Sequence, residues 1–319
     1  MSTAGEAGVE LGAEATAPVP GRGWTEAALA AMVLVWGVNF AVVKHALEDF
    51  DPLGFNALRF ALASLLVLAV LRAQGPLTLP ARADVPRILV LGLVGNLVYQ
   101  ICFILGLDRT PAGTTAVILA LTPLVTAFLS MLTGHERPGT RTWLGGALSI
   151  VGIALVSGAS ARELGGRALV GSAILLLACV AWAFYTVGAR PLVERYGSVR
   201  TTVWTLWSGA VGLVVVGAPG LAGQRWDAVR PAAWGGLVFS AAFAIALAYL
   251  IWYRGVERIG NTRTAIFSNL TPVVALFAAA VLLRERPSAL ALVGVALTLG
   301  GVMVVRGDRG SAPAGTDSA

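Results

Sequence analysis

Long apolar runs dominate this sequence and leave it few ways to fold. A helix that crosses a bilayer needs about 20 consecutive, mostly apolar residues. Ten stretches meet or approach that length, at about 26–46, 52–72, 87–106, 112–133, 142–158, 169–189, 200–218, 233–253, 262–283 and 289–306. Of the 319 residues, 57% are hydrophobic and 13% charged, whereas a soluble domain carries about 25% charged residues. The expected fold class is therefore all-α, a polytopic membrane protein with ten transmembrane helices. The formal charge of +6 would suggest nucleic acid in a soluble protein. Here it is assigned to basic loops beside the spans, and no nucleic-acid partner is expected.

Lysines and arginines set the orientation. Counting alternate loops, fourteen fall on the side of both termini, and eight, Lys44 and Arg109 among them, fall on the other. The bias predicts cytoplasmic N- and C-termini. Residues 1–23 are Ala, Gly and Glu-rich with a single Arg22. A signal peptide would start basic and turn apolar, so this segment reads as a disordered tail, as does 307–319. Cys102 and Cys179 lie inside apolar runs and read as packing residues.

One pattern occurs twice. Pro123, Glu136 and Pro138 return as Pro272, Glu285 and Pro287, each 149 positions later. Gly106, Arg109, Thr115, Thr122, Phe128, Gly145 and Gly152 match Gly255, Arg258, Thr264, Thr271, Phe277, Gly294 and Gly301 at the same offset. Shared alanines and leucines would arise by chance between apolar helices; Thr-Pro, Glu-Arg-Pro and paired glycines in register point to duplication. Each copy holds five spans, an odd number, so the second must enter the membrane inverted. Inverted repeats recur in secondary transporters, with the substrate near the midplane between the halves.

Trp36-Gly37-Val38-Asn39-Phe40, Leu58-Arg59-Phe60, the two Thr-Pro helices with their Glu-Arg-Pro endings, and Trp182-Ala183-Phe184-Tyr185 stand in this order along the chain. In that order and doubling they resemble the drug/metabolite transporter superfamily, specifically its ten-span EamA-type exporters, over about 24–306. The resemblance implies one EamA repeat at 24–158, a linker at 159–168 and a second repeat at 169–306. It also implies export or exchange of small metabolites, such as amino acids or their derivatives, or of drugs, across the plasma (inner) membrane of a bacterium.

Polar groups are costly facing lipid, so those near span centres should face the bundle interior. Asn39, Asn96, Tyr99, Gln100, Thr115, Tyr185, Tyr249, Ser268 and Asn269, with Trp36 and Trp182, are the candidates for lining a substrate cavity. Some of them instead glue helices together. Tyr99 and Gln100 are neighbours and cannot point the same way. Pro123 and Pro272 read as kinks that either pack or gate the path, with Thr122 and Thr271 able to bond the freed carbonyls. Glu136 and Glu285 read as pins of tight helix hairpins, with coupling or gating as the second reading. Arg59 lies about 10 Å into its span, at 1.5 Å per residue. It either snorkels or pairs with Glu48, Asp49 or Asp51. Lys44 is an interfacial anchor or a contact for an anionic substrate group. The glycine pairs scaffold the fold or mediate a homodimer.

No span centre carries Asp or Glu, so coupling to protons or to a counter-substrate is left open. A membrane-embedded enzyme would need a nucleophile and base, a carboxylate pair or a metal cluster. His45 and His135 stand at span ends on opposite faces. Neither an enzyme nor a non-transporting scaffold gives the inverted duplication a purpose. No cofactor or metal is expected, and no G-x-x-x-x-G-K-[ST] phosphate loop is present.

Overall fold

The computed structural model describes residues 22–74, 79–132, 140–259, 267 and 270–307. All regular structure among them is helical, because a chain in lipid must satisfy its own backbone. The helices are α1 (Arg22–Ala46), α2 (Pro52–Gln74), α3 (Val85–Gly92), α4 (Tyr99–Arg109), α5 (Ala112–Leu119), α6 (Thr122–Leu132) and α7 (Thr140–Leu164). They continue as α8 (Gly166–Tyr196), α9 (Ser198–Ala222), α10 (Pro231–Phe239), α11 (Ala248–Ile259), α12 (Thr271–Leu282) and α13 (Ala289–Gly307). Short π-helical segments, Leu93–Val98 and Ser240–Leu247, join α3 to α4 and α10 to α11.

Among the described residues, seven continuous helical stretches are long and apolar enough to cross a membrane, and three shorter apolar helices accompany them. Within the expected span at 112–133 the α-helix stops at Leu119 and restarts at Thr122. Pro123 is therefore the second residue of a new helix, where its missing N–H costs little, and not a kink within an unbroken one. Pro272 takes the same place in α12. A turn at Gly165 joins α7 to α8, and its φ of 73° suits glycine.

The bundle is apolar on its outer surface as well as in its core. Phe277, Val215 and Val211 are 71%, 69% and 68% exposed, while the largest fully buried side chain among the described residues is Arg59. Exposure of this kind fits a lipid surround.

Helices pair in matched sets. α2 packs on α9, and α7 on α13; α1 packs on α12 and α8 on α6; α1 meets α10 and α11 as α8 meets α3 and α4. The closest pair is α7 with α13. A Cβ added at Gly152 would lie 2.5 Å from Gly294 O, and one at Gly294 would lie 2.6 Å from Gly152 O. The glycine faces thus meet each other within one chain.

Gly152→Leu should force these backbones apart at a cost of about 1–3 kcal/mol or more. Thermal unfolding in detergent should show a clear loss of stability, whereas Gly158→Leu, where nothing lies within 4 Å, should not.

Candidate functional site

Arg59 sits on α2 with 2% exposure. Its Nη1 donates to Ser240 Oγ at 3.1 Å, and its Nη2 to Asn56 Oδ1 at 2.6 Å and Gln100 Oε1 at 2.8 Å. Asn56 Nδ2 in turn donates to Gln100 O at 3.1 Å. Phe55, Phe60 and Phe103 place their ring centres 5.8, 5.4 and 5.6 Å from the guanidinium carbon. Nε has no acceptor. The expectation that Arg59 snorkels or pairs with Glu48, Asp49 or Asp51 is corrected. Glu48 and Asp49 bond Arg230 instead, and Asp51 accepts from Gly54 N at the start of α2.

The energetics allow this burial. A charge at a span centre costs about 2.5–3.5 kcal/mol on insertion scales, and bonds involving charged groups return about 1.5–3 kcal/mol each. The three acceptors stabilise the cation but leave its charge uncancelled.

An aromatic row runs from this cluster. Phe103 lies 5.8 Å from Phe40 and 6.3 Å from Tyr99; Tyr99 lies 4.9 Å from Trp182, which lies 5.4 Å from Tyr185. Gln100 faces Arg59 while Tyr99 faces Trp182, as adjacent helical residues must. Trp36 donates Nε1 to Ala244 O in the second π segment at 2.9 Å. Tyr185 bonds Thr205 at 3.0 Å and lies over Gly95 in the first π segment, where a Cβ would come within 2.3 Å of its ring. Asn39 Oδ1 and Asn96 Nδ2 are buried without partners. Tyr249 packs against the buried cluster that contains Phe60, Val203 and Leu206. Thr115 stands in the first turn of α5 and bonds Thr110 and Pro111 O in the preceding turn. Ser268, Asn269 and Glu136 lie outside the described residues. Two clefts, of about 320 and 340 Å³, lie between α3 and α8 and between α1, α10 and α12, and neither touches the predicted lining residues.

Lys44 and Glu285 act on helix ends. Lys44 Nζ donates to Leu107 O at 2.6 Å and Asp108 O at 2.8 Å, closing the C-terminus of α4, where a cation is favoured. Glu285 accepts from Ala112 N at 2.8 Å and Gly113 N at 3.3 Å, closing the N-terminus of α5, where an anion is favoured. The expected hairpin pin is thus corrected: Glu285 reaches across to a different helix. Thr122 Oγ donates to Leu119 O at the break, at 2.7 Å.

The same face of the bundle carries further ties. Arg230 bonds Glu48 and Asp49, Gln224 bonds Asp49 O and Asp51 N, and Arg167 bonds Asp108. The Arg230 guanidinium, donating to both carboxylates, holds Glu48 and Asp49 below their ordinary values, and its own pKa is raised. On the opposite face Asp84 accepts from Arg195 and Tyr196. Among the described residues no group of three or more His, Cys, Asp and Glu could hold a metal.

Asn56 could have been found from the sequence, since it stands three residues before Arg59 and shares its helix face. Ser240, Arg230 and Gln224 carried no such signal, because their partners lie more than 170 positions away.

Two predictions follow from these contacts. Glu285→Ala leaves two amide groups of α5 unpaired and should cost about 1–3 kcal/mol in thermal unfolding, with Glu285→Gln recovering part of it. The depressed carboxylates add stability at pH values above their unfolded values, 4.5 for Glu48 and 3.8 for Asp49, and lose it as pH falls through the lower folded values. Protection factors over 46–52 and 223–231, corrected for the intrinsic exchange rate at each pH, should therefore fall on acidification past those values in the wild type. In Arg230→Ala they should already be low at neutral pH and change little.

Comparison with known proteins agrees with this architecture. The profile of the EamA-like transporter family matches residues 23–158 and again 169–307. An uncharacterised transporter, YyaM, of Bacillus subtilis is 30% identical over 75% of this chain and 80% of its own length. A probable terminal-alkyne amino-acid exporter of Streptantibioticus cattleyicolor is 29% identical over 87% of this chain and 92% of its own. One crystal structure superposes with a TM-score of 0.63 at 18% identity, over 89% of this chain and 97% of its own; it speaks for the fold alone. A chain matched twice by one family profile, along most of its length, belongs to the EamA-like transporter family.

Proposed function

We propose that this protein is a secondary transporter that exports small metabolites, amino acids or their derivatives first among them, by alternating access around the bundle centre. The observation that carries the reading is the matched pairing of helices: α1 with α12 answers α8 with α6, while α2 with α9 and α7 with α13 are each shared between the halves. Two five-helix units of inverted sense would give such a set. They also provide two arrangements of nearly equal energy, one open to each side. The π segments occur at corresponding places in the two halves, and such irregular turns recur at functional sites. The ties through Lys44, Glu285, Arg167 and Arg230 then belong to one face, assigned outward by the basic-residue bias. They form the contacts that must part when that face opens. A relative's name as an amino-acid exporter motivates the substrate class, and buried polar groups beside aromatic rings suit an amphipathic cargo.

The test uses purified protein in liposomes, with and without an imposed proton gradient. A mixture of amino acids, amino-acid derivatives and cationic drugs is presented, and mass spectrometry identifies what crosses. Gradient-dependent movement of one class supports an ion-coupled exporter, and movement that ignores the gradient supports an exchanger or uniporter. No movement by folded protein sinks the reading. Pro123→Ala and Pro272→Ala should each slow transport by about tenfold, equivalent to about 1.4 kcal/mol on the limiting barrier, while leaving the unfolding temperature nearly unchanged. Equal loss of folded protein would reduce the prolines to packing residues.

A further inference from the structure

We infer that Arg59 is the anion-binding centre of the transport path, taking the carboxylate of an amphipathic organic acid or zwitterion whose apolar part lies against Phe103, Tyr99 and Trp182. The inference rests on the transporter reading and names its substrate class.

Four observations carry it. Arg59 is buried, and its partners Asn56, Gln100 and Ser240 are all uncharged. An arginine fixed there only as a structural tie would be better served by an acidic partner, since an uncompensated ion is disfavoured inside the bundle. An ionisable group within a membrane span marks a substrate or ion path by default. Second, the guanidinium is not saturated. Nε has no acceptor, and Nη2 is divided between two amide oxygens. A carboxylate can take the Nε–Nη2 edge in the two-point geometry that arginine favours, displacing one amide oxygen. Third, the cluster is built from α2, α4 and the π segment at Ser240–Leu247, so elements of both halves meet at this one charge. Fourth, the aromatic row leads away from it: the guanidinium faces Phe103, and the rings continue through Tyr99 to Trp182. This is an apolar wall ending in a cation, matching a molecule that is apolar at one end and anionic at the other.

The chemistry also says what should fail to bind. An amine without a carboxylate meets a like charge at Arg59 and is disfavoured.

The test is a calorimetric titration of purified protein in nanodiscs with 3-phenylpropionate, hexanoate and 2-phenylethylamine. Three forms are compared: wild type, Arg59→Lys and Gln100→Glu. Gln100→Glu keeps the shape of the side chain and supplies an internal carboxylate to the guanidinium, so it should fold. It should weaken both acids at least tenfold by occupying the charge. Arg59→Lys keeps the charge but loses the fork, and should weaken them by a smaller factor. The amine should bind the wild type more weakly than either acid. Equal binding of the acids to wild type and Gln100→Glu overturns the inference, as does an absence of acid binding or a preference for the amine. These outcomes are separable from the transport reading. If the liposome mixture yields transported cargo but no acid binds, only the anion centre falls. If nothing in the mixture crosses, the transport reading falls, and the titration still decides whether Arg59 holds a carboxylate.

Discussion

Lipid offers no hydrogen bonds, so every helix end and helix break at membrane depth has to be closed by the protein. This constraint organises most of the polar chemistry in the bundle. Lys44 closes the last carbonyls of α4, Glu285 closes the first amides of α5, and Thr122 takes a carbonyl freed where α5 gives way to α6. In a soluble protein water would serve all three. Here Lys44 comes from α1 and Glu285 from the loop between α12 and α13, so these two caps are also ties between elements. Helix termini and interhelical contacts become one set of interactions, and a motion that separates the helices must also uncap their ends.

The same constraint explains why polar groups are enclosed within an otherwise apolar interior while large apolar groups also stand on the surface. Phe277 and Val215 face outward, where lipid accepts them, and Arg59, Asn56 and Ser240 are enclosed. The glycines of α7 and α13 let two backbones meet without side chains between them. This pair supplies a close seam at one place, while the break between α5 and α6 and the two π segments supply irregular backbone elsewhere.

Charge is distributed with equal economy. The exposed carboxylates Glu48 and Asp49 have Arg230, and Asp108 has Arg167. Arg59 alone among the arginines described above is enclosed with uncharged partners. Exposed pairs are screened and individually weak. The enclosed cation is unscreened, so a ligand anion would meet a strong and directional field there.

Much of the architecture was legible in the chain itself. The apolar runs determined that it is a helical membrane protein, since only helices or closed barrels satisfy the backbone in lipid. The doubled Thr-Pro and Glu-Arg-Pro patterns, together with the order of the remaining motifs, pointed to the family. Polar residues such as Gln100 and Asn96 were expected inside because their cost in lipid depends on composition and depth alone, and both are buried. What only the tertiary structure decided is which group meets which. Arg59 had three acids near it in sequence and bonds none of them, and Lys44 and Glu285 spend their charges on helix ends that no local pattern identifies. The proline at 123 starts a helix that the apolar run had hidden. The physical reason is common to all of these. Hydropathy is a property of each residue and can be read along the chain, whereas a hydrogen bond needs a partner at about 3 Å. In a bundle of crossing helices that partner is set by three-dimensional packing, often more than a hundred positions away.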